Sequence, residues 1–154
     1  MAKLEGGSKD VDEAMEKWHN GSLSHRLYDV FTVAGLRVEA IEPGRLLCSF
    51  MVPARLTSSA SNRMQGGAVA SLVDLVGSAV IFAGGSPVTG VSLDITVSYL
   101  GAARANEEIE IDARVLDIGD KTGCVTVEVR RKDNGQVLAH GRHTKYLANV
   151  SSKL

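Results

Sequence analysis

Residues 64–88 read MQGGAVASLVDLVGSAVIFAGGSPV, a stretch of helical length that is apolar nearly all round and carries one charge, Asp74. Val69, Leu72, Val73, Val76, Val80 and Phe82 fall on more than one face, the pattern of a helix enclosed by protein rather than lying half in water. This stretch is therefore expected to be the central helix. Small residues such as Gly66, Gly67, Ala70 and Gly77 allow a sheet to come close to its backbone. Close wrapping would offset the roughly 1 kcal/mol of helix propensity that an internal glycine loses relative to alanine.

Most of the remaining chain alternates with period two, at 36–41 and 46–52 around a turn at 42–45, then at 88–100, 107–118, 122–131 and 136–147. Ile109, Ile111, Ala113 and Val115 define a dry face with Val125, Val127 and Val129, against Glu110, Asp112, Arg114, Glu128 and Arg130 on a wet one. Asn134-Gly135 is a hairpin turn signal, because this pair readily takes positive φ. Two short helical stripes precede the strands. One covers 10–19 through Val11, Ala14, Met15 and Trp18, and the other covers 23–30, with Ser22 or Ser24 as its cap. Residues 1–9 are polar and glycine-rich and are expected to be a disordered tail, and the serine-rich loop 53–62 is expected to be flexible.

Two strands, one long helix and four further antiparallel strands predict a single α+β domain over 10–147, a sheet of about six strands curled around the helix. That is the hotdog fold, here with short N-terminal helices and a tail at 148–154. Such a sheet leaves edges and part of its helix uncovered, so self-association is expected, with a dimer as the minimum.

The chain of 154 residues has a net charge of −1 and no long basic block, which argues against nucleic-acid and membrane-surface partners. Asp74 interrupts the one long apolar run and the N-terminus lacks an apolar signal core, so neither a membrane span nor a secretory signal is expected, and the protein reads as soluble and made in the cytosol. Cys48 and Cys124 form no CxxC and suit a reducing interior. Ser152, Lys153 and Leu154 form the tripeptide read by the peroxisomal import receptor, so a peroxisomal location is expected.

A carboxylate inside an apolar helix costs several kcal/mol unless paired, hydrated or in a site. No basic residue lies between Arg63 and Arg104 to pair with Asp74 locally. At the helix start, Gly66 and Gly67 present N–H groups with no intrahelical partner, a place for an oxyanion or polarised carbonyl, although Gly-Gly also serves simply to make a tight turn. Asp74 lies eight residues beyond Gly66, about 12 Å at ~1.5 Å per residue, so one chain's carboxylate does not reach its own Gly66 amide. His140 and His143 are three apart in a strand and face opposite sides, which leaves no shared metal site and makes His143 a sheet-packing residue.

Taken together, Gln65-Gly66-Gly67, Ala70, Leu72 and Asp74, then Gly90-Val91-Ser92-Leu93-Asp94 and a closing Gly141-Arg142-His143-Thr144-Lys145, resemble the small hotdog-fold acyl-CoA thioesterases of the phenylacetate-pathway and mammalian thioesterase superfamily member 2 type. The likeness spans roughly residues 25–147. It implies an acyl-CoA or aromatic-acyl-CoA thioester hydrolase without metal or redox cofactor; the uncovered sheet and the separation of about 12 Å, which needs two chains to build one site, make a dimer or dimer of dimers the expected assembly. Asp74 is implied to be the general base or nucleophile, Gly66 of the facing subunit to polarise the carbonyl, and Ser92 to assist beside Asp74. For coenzyme A it points to the turn after Tyr99 and to Lys121-Thr122, with Arg104 and Lys121 as phosphate contacts. Their other reading is two solvated loop cations.

Gln65 stands where the family has His, and Ser59 stands where it has a water-orienting amide, unless Asn62 supplies one. These departures motivate a second reading, a non-catalytic acyl-CoA-binding dimer. A third, an enoyl-CoA hydratase, is weaker because no His is placed to share proton transfer with Asp74.

Overall fold

The structure, a computed structural model, describes residues 7–20 and 27–147. Helix α1 (Gly7–His19) leads to α2 (Leu27–Val33), the hairpin β1 (Arg37–Glu42) and β2 (Arg45–Met51), the long helix α3 (Gly66–Ala83), and then β3 (Val91–Tyr99), β4 (Glu108–Ile118), β5 (Thr122–Arg131) and β6 (Val137–Tyr146). The six strands form one antiparallel sheet in the order β1-β2-β4-β5-β6-β3. The expected six-stranded hotdog sheet around a central helix is what the chain builds. Helix α1 begins at Gly7, within the stretch expected to be disordered, and α2 continues three residues beyond its expected end. The caps Ser22 and Ser24 and the tail 148–154 lie outside the described residues, and so do the side chains of Val11, Ala14 and Trp18; Met15 is buried.

Helix α3 has the length and apolarity of a membrane span, yet it packs against the inner face of the sheet. Leu72, Val73, Val76, Val80 and Ile81 are buried there with Ile109, Ile111, Val125 and Val127. Gly77 shows why small residues sit in this helix. A Cβ at that position would stand 3.2 Å from Val125 Cγ2 and 3.3 Å from His143 Nδ1, so the sheet closes to within a methyl group of the helix backbone. Gly141 on β6 makes the reciprocal approach, where a Cβ would fall 2.7 Å from Val73 Cγ1.

The helix is not enclosed all round, although its composition led to that expectation. Ala70, Asp74, Ser78 and Phe82, at successive turns, are only partly buried and leave one open stripe. The loop 53–62 is ordered by bonds from elsewhere. A 3₁₀ turn (Ala54–Leu56) is followed by Ser58 N–H donating to Arg63 O and Asn62 N–H to Ser58 O, and Gln65 N–H donates to Leu56 O. Cys48 is core, and Cys124 Sγ accepts the Thr144 hydroxyl.

Candidate active site

The open stripe of α3 faces a cleft of about 570 Å³ lined by α2, α3 and β3, with Tyr28, Gly67, Ser71, Asp74, Ile95 and Tyr99 on its walls. Its volume falls within the range of small-molecule sites. Asp74 has a side chain 46% exposed in the single chain, so its carboxylate lies open to the cleft rather than inside the core. Its neighbour across the cleft wall is a histidine.

His143 is fully buried on the inner face of β6. Its Nε2 lies 2.7 Å from Ser92 Oγ and 3.7 Å from Asp74 Oδ1. Two sequence expectations are corrected here. His143 is more than sheet packing, and a histidine does stand beside Asp74. Ser92 also proves to face inward. In strict alternation with Ile95, Val97 and Tyr99 it would point outward, but the ladder between β3 and β6 shifts at Leu93, so that Ser92 pairs with Lys145 while Ile95 pairs with His143. A bulge of one residue reverses the face of everything before it.

The hydrogen-bond pattern fixes the tautomer of His143. Nδ1 is buried without a partner, pressed against Gly77. Nε2 is the nitrogen that faces both Ser92 and the Asp74 carboxylate, which can only accept, so the proton sits on Nε2 and Nδ1 is bare. Burial holds the imidazole below its ordinary pKa, with the Lys145 ammonium pushing the same way and Asp74 and Asp94 opposing. A neutral Nε2–H therefore donates to Ser92 Oγ, which leaves the serine hydrogen free for an acceptor in the cleft.

At the other end of the cleft, Gln65 is the N-cap of α3 with no side-chain capping bond. Its carbonyl accepts the N–H groups of Ala68 and Val69, whereas the amides of the exposed Gly66 and Gly67 have no partner among the described residues. Tyr99 Oη donates to Gly66 O at 2.8 Å, and a Cβ on Gly66 would stand 3.3 Å from the Tyr99 ring. Tyr99 thus braces the helix start rather than only marking a turn. Tyr28 bonds Ser71 Oγ at 2.5 Å, and Ser71 donates to Gly67 O, which ties α2 to the same helix.

The coenzyme candidates do not converge within one chain. Arg104 is bridged to Arg63 at the Gly66 end, its N–H bonded to Glu107 Oε2, while Lys121-Thr122 form the turn at the far end of β4. Eleven residues of β4 separate them, roughly 36 Å at about 3.3 Å per residue. Ser59 is exposed near the tip of the loop, and Asn62 holds a positive φ of 55° at its end.

The Thioesterase superfamily profile matches residues 62–138, the span from the helix entrance to the first residues of β6. Human acyl-coenzyme A thioesterase 13 is 34% identical over 149 residues, covering 97% of this chain and 100% of that one. The chain belongs to the thioesterase superfamily. The crystal structure of zebrafish thioesterase superfamily member 2 superposes with a TM-score of 0.81 at 30% identity, over 90% of this chain and 98% of its own. A hypothetical thioesterase from Streptococcus pneumoniae, solved with coenzyme A, shares the fold at a TM-score of 0.67 and 18% identity, over 73% of this chain and 88% of its own.

Membership fits the residues described above. The matched span contains the helix start, Asp74 and Ser92, and ends before His143. Sequence reasoning left His143 as sheet packing because alternation places it on a face of its strand without saying what that face meets. The signal available was its inward register with Gly141, a position where the sheet comes close to α3.

Proposed function

We propose that this chain hydrolyses acyl-CoA thioesters, with Asp74 as general base. The observation that carries the reading is the convergence of Ser92 and His143 on Asp74, which lines a largely apolar cleft that also reaches Gly67 at the start of α3. The Streptococcus pneumoniae thioesterase binds coenzyme A on the same fold, and the human relative is an acyl-CoA thioesterase.

In this reading a water rests between Ser92 Oγ and Asp74. Asp74 takes its proton as the water oxygen bonds to the thioester carbonyl carbon, and the resulting oxyanion is held by the helix-terminal N–H of Gly66. Collapse breaks the C–S bond, and the proton leaves on the CoA thiol, giving free acid and CoA. Gln65 retains both a donor and an acceptor beside that amide.

The donor and the base come from different chains. Within one helix they are about 12 Å apart by the ~1.5 Å rise per residue, too far to share one carbonyl. Strand β3 is the open edge of the sheet, and Val91, Leu93 and Ile95 on it are exposed together with Leu27 and Phe31 of α2. A second copy laid along that edge covers this apolar surface and brings its Gly66 to Asp74. A dimer, or a dimer of dimers, is the working unit. Drawing on two chains also lets Arg104 of one and Lys121 of the other serve a single CoA.

The test is release of CoA thiol from a panel of acyl-CoAs of increasing chain length and of arylacetyl-CoAs. Turnover supports the hydrolase; binding without turnover makes the protein an acyl-CoA-binding dimer instead. The peroxisomal address rests on Ser152-Lys153-Leu154 alone. A fluorescent protein fused to the N-terminus is expected in peroxisomes and, after deletion of those three residues, in the cytosol; unchanged puncta would reject the address.

A further inference from the structure

Lys145 is a lysine where lysines are rarely found. Its side chain is 4% exposed, on the inner face of β6 two residues beyond His143. Lysine is almost never fully buried unless paired, yet Lys145 makes no carboxylate contact among the described residues. Its Nζ donates instead to Ser78 Oγ at 2.6 Å, one helical turn beyond Asp74 on the open stripe of α3. Burial pulls the Lys145 ammonium below the ordinary lysine pKa, and Asp74, near enough to act on it electrostatically without forming an ion pair, opposes that and favours the charged form.

We propose that Lys145 is a positioning residue of the site: seated on Ser78, its ammonium keeps the neighbouring imidazole of His143 neutral, so that Nε2–H donates to Ser92 and does not form an ion pair with Asp74. The proposal rests on the hydrolytic reading for its consequence, not for its chemistry. An imidazolium 3.7 Å from Asp74 would draw the carboxylate out of its role as base, and its second N–H would be trapped against Gly77 without an acceptor. A cation one strand pleat away opposes that protonation, and holding the cation on a neutral hydroxyl keeps both Asp74 oxygens free.

The groups facing this point are few. Helix α3 contributes Asp74 and Ser78, β3 contributes Ser92 and the more distant carboxylate of Asp94, β6 contributes His143 itself, and β5 presents only Gly123 and Val125. The two carboxylates favour an imidazolium, while burial and Lys145 oppose it. Lys145 is the one cation among these groups.

The direct test is the titration of His143 by NMR in full-length protein with labelled histidine, its signal assigned by its loss in His143→Gln. In Lys145→Met the midpoint is expected to rise by about one pH unit, the size of a nearby-charge effect, and the acid limb of kcat/KM to rise with it. Lys145→Gln, which keeps a donor for Ser78 but not the charge, gives the same reading if the methionine variant fails to assemble. Lys145→Arg, which keeps the charge, stays at the wild-type midpoint. An unmoved midpoint in the uncharged variants overturns the proposal, as does a moved midpoint with an unmoved acid limb. The NMR titration needs no turnover, so it judges Lys145 even if the chain proves not to hydrolyse thioesters.

Discussion

Ser92 Oγ and His143 Nε2 lie 2.7 Å apart across the ladder of β3 and β6, 51 residues distant in sequence, and together they form the wall against which Asp74 stands. The pair acts as a unit: His143 donates, and the serine hydrogen is thereby directed into the cleft.

Ser92→Ala and His143→Gln should therefore each lower kcat by about tenfold, the worth of one hydrogen bond to a charged or reacting group. The double variant should be no slower than either single one, since each removes the same function. Steady-state kinetics on the three proteins checks this. Multiplying effects would mean that the two side chains act separately.

Stability should show the neutral imidazole. His143 is held below its ordinary pKa by burial and by Lys145, so below about pH 6.5, the ordinary histidine value, the unfolded chain takes up a proton that the folded chain refuses. That stability is fully present above this pH and is lost as pH falls toward the folded-state pKa. Melting temperatures at pH 7.5 and 5.5 should fall further in wild type than in His143→Gln. An equal fall in both would show that His143 titrates normally in the fold.

Gly66 can lose its amide proton without losing its helix. Proline is tolerated at the first helical position, Gln65 before it already holds φ −73° and ψ 143°, as a residue preceding proline must, and the partly exposed Tyr99 ring, 3.3 Å from the new Cβ, has only to yield by a few tenths of an ångström. Gly66→Pro should keep circular dichroism and assembly while kcat falls by about 10²–10³, the usual loss of one oxyanion donor. Co-expressed with Asp74→Asn, it should recover about a quarter of wild-type activity, because half of randomly paired dimers keep one intact two-chain site. No recovery would place donor and base in the same chain.

Much of this arrangement was legible in the sequence because it is local. The dry and wet faces of β4 and β5, the Asn-Gly turn and the glycine-lined helix are each readable within a dozen residues, and together they specify a curled sheet on one helix. The inward face of Ser92 was not legible, since it depends on a bulge at Leu93 that only the ladder with β6 reveals. Nor was the neighbourhood of His143, which exists because β6 lies beside β3 rather than beside β4. The loop 53–62 read as flexible from its serines, whereas backbone bonds to residues outside it hold it in place. Asp74 read as enclosed because composition reports how apolar a helix is, not which stripe the sheet leaves open.

The central claim is that Asp74 is the base. Asp74→Asn keeps size and hydrogen bonding and removes charge and basicity, and the side chain is half exposed in the single chain, so no core ion pair is broken. Turnover of an acyl-CoA that wild type hydrolyses, melting temperature and light-scattering mass should be measured on one preparation. The account predicts a kcat lower by about two orders of magnitude or more, with melting and mass unchanged. Wild-type kcat in a well-folded Asp74→Asn assembly would contradict it.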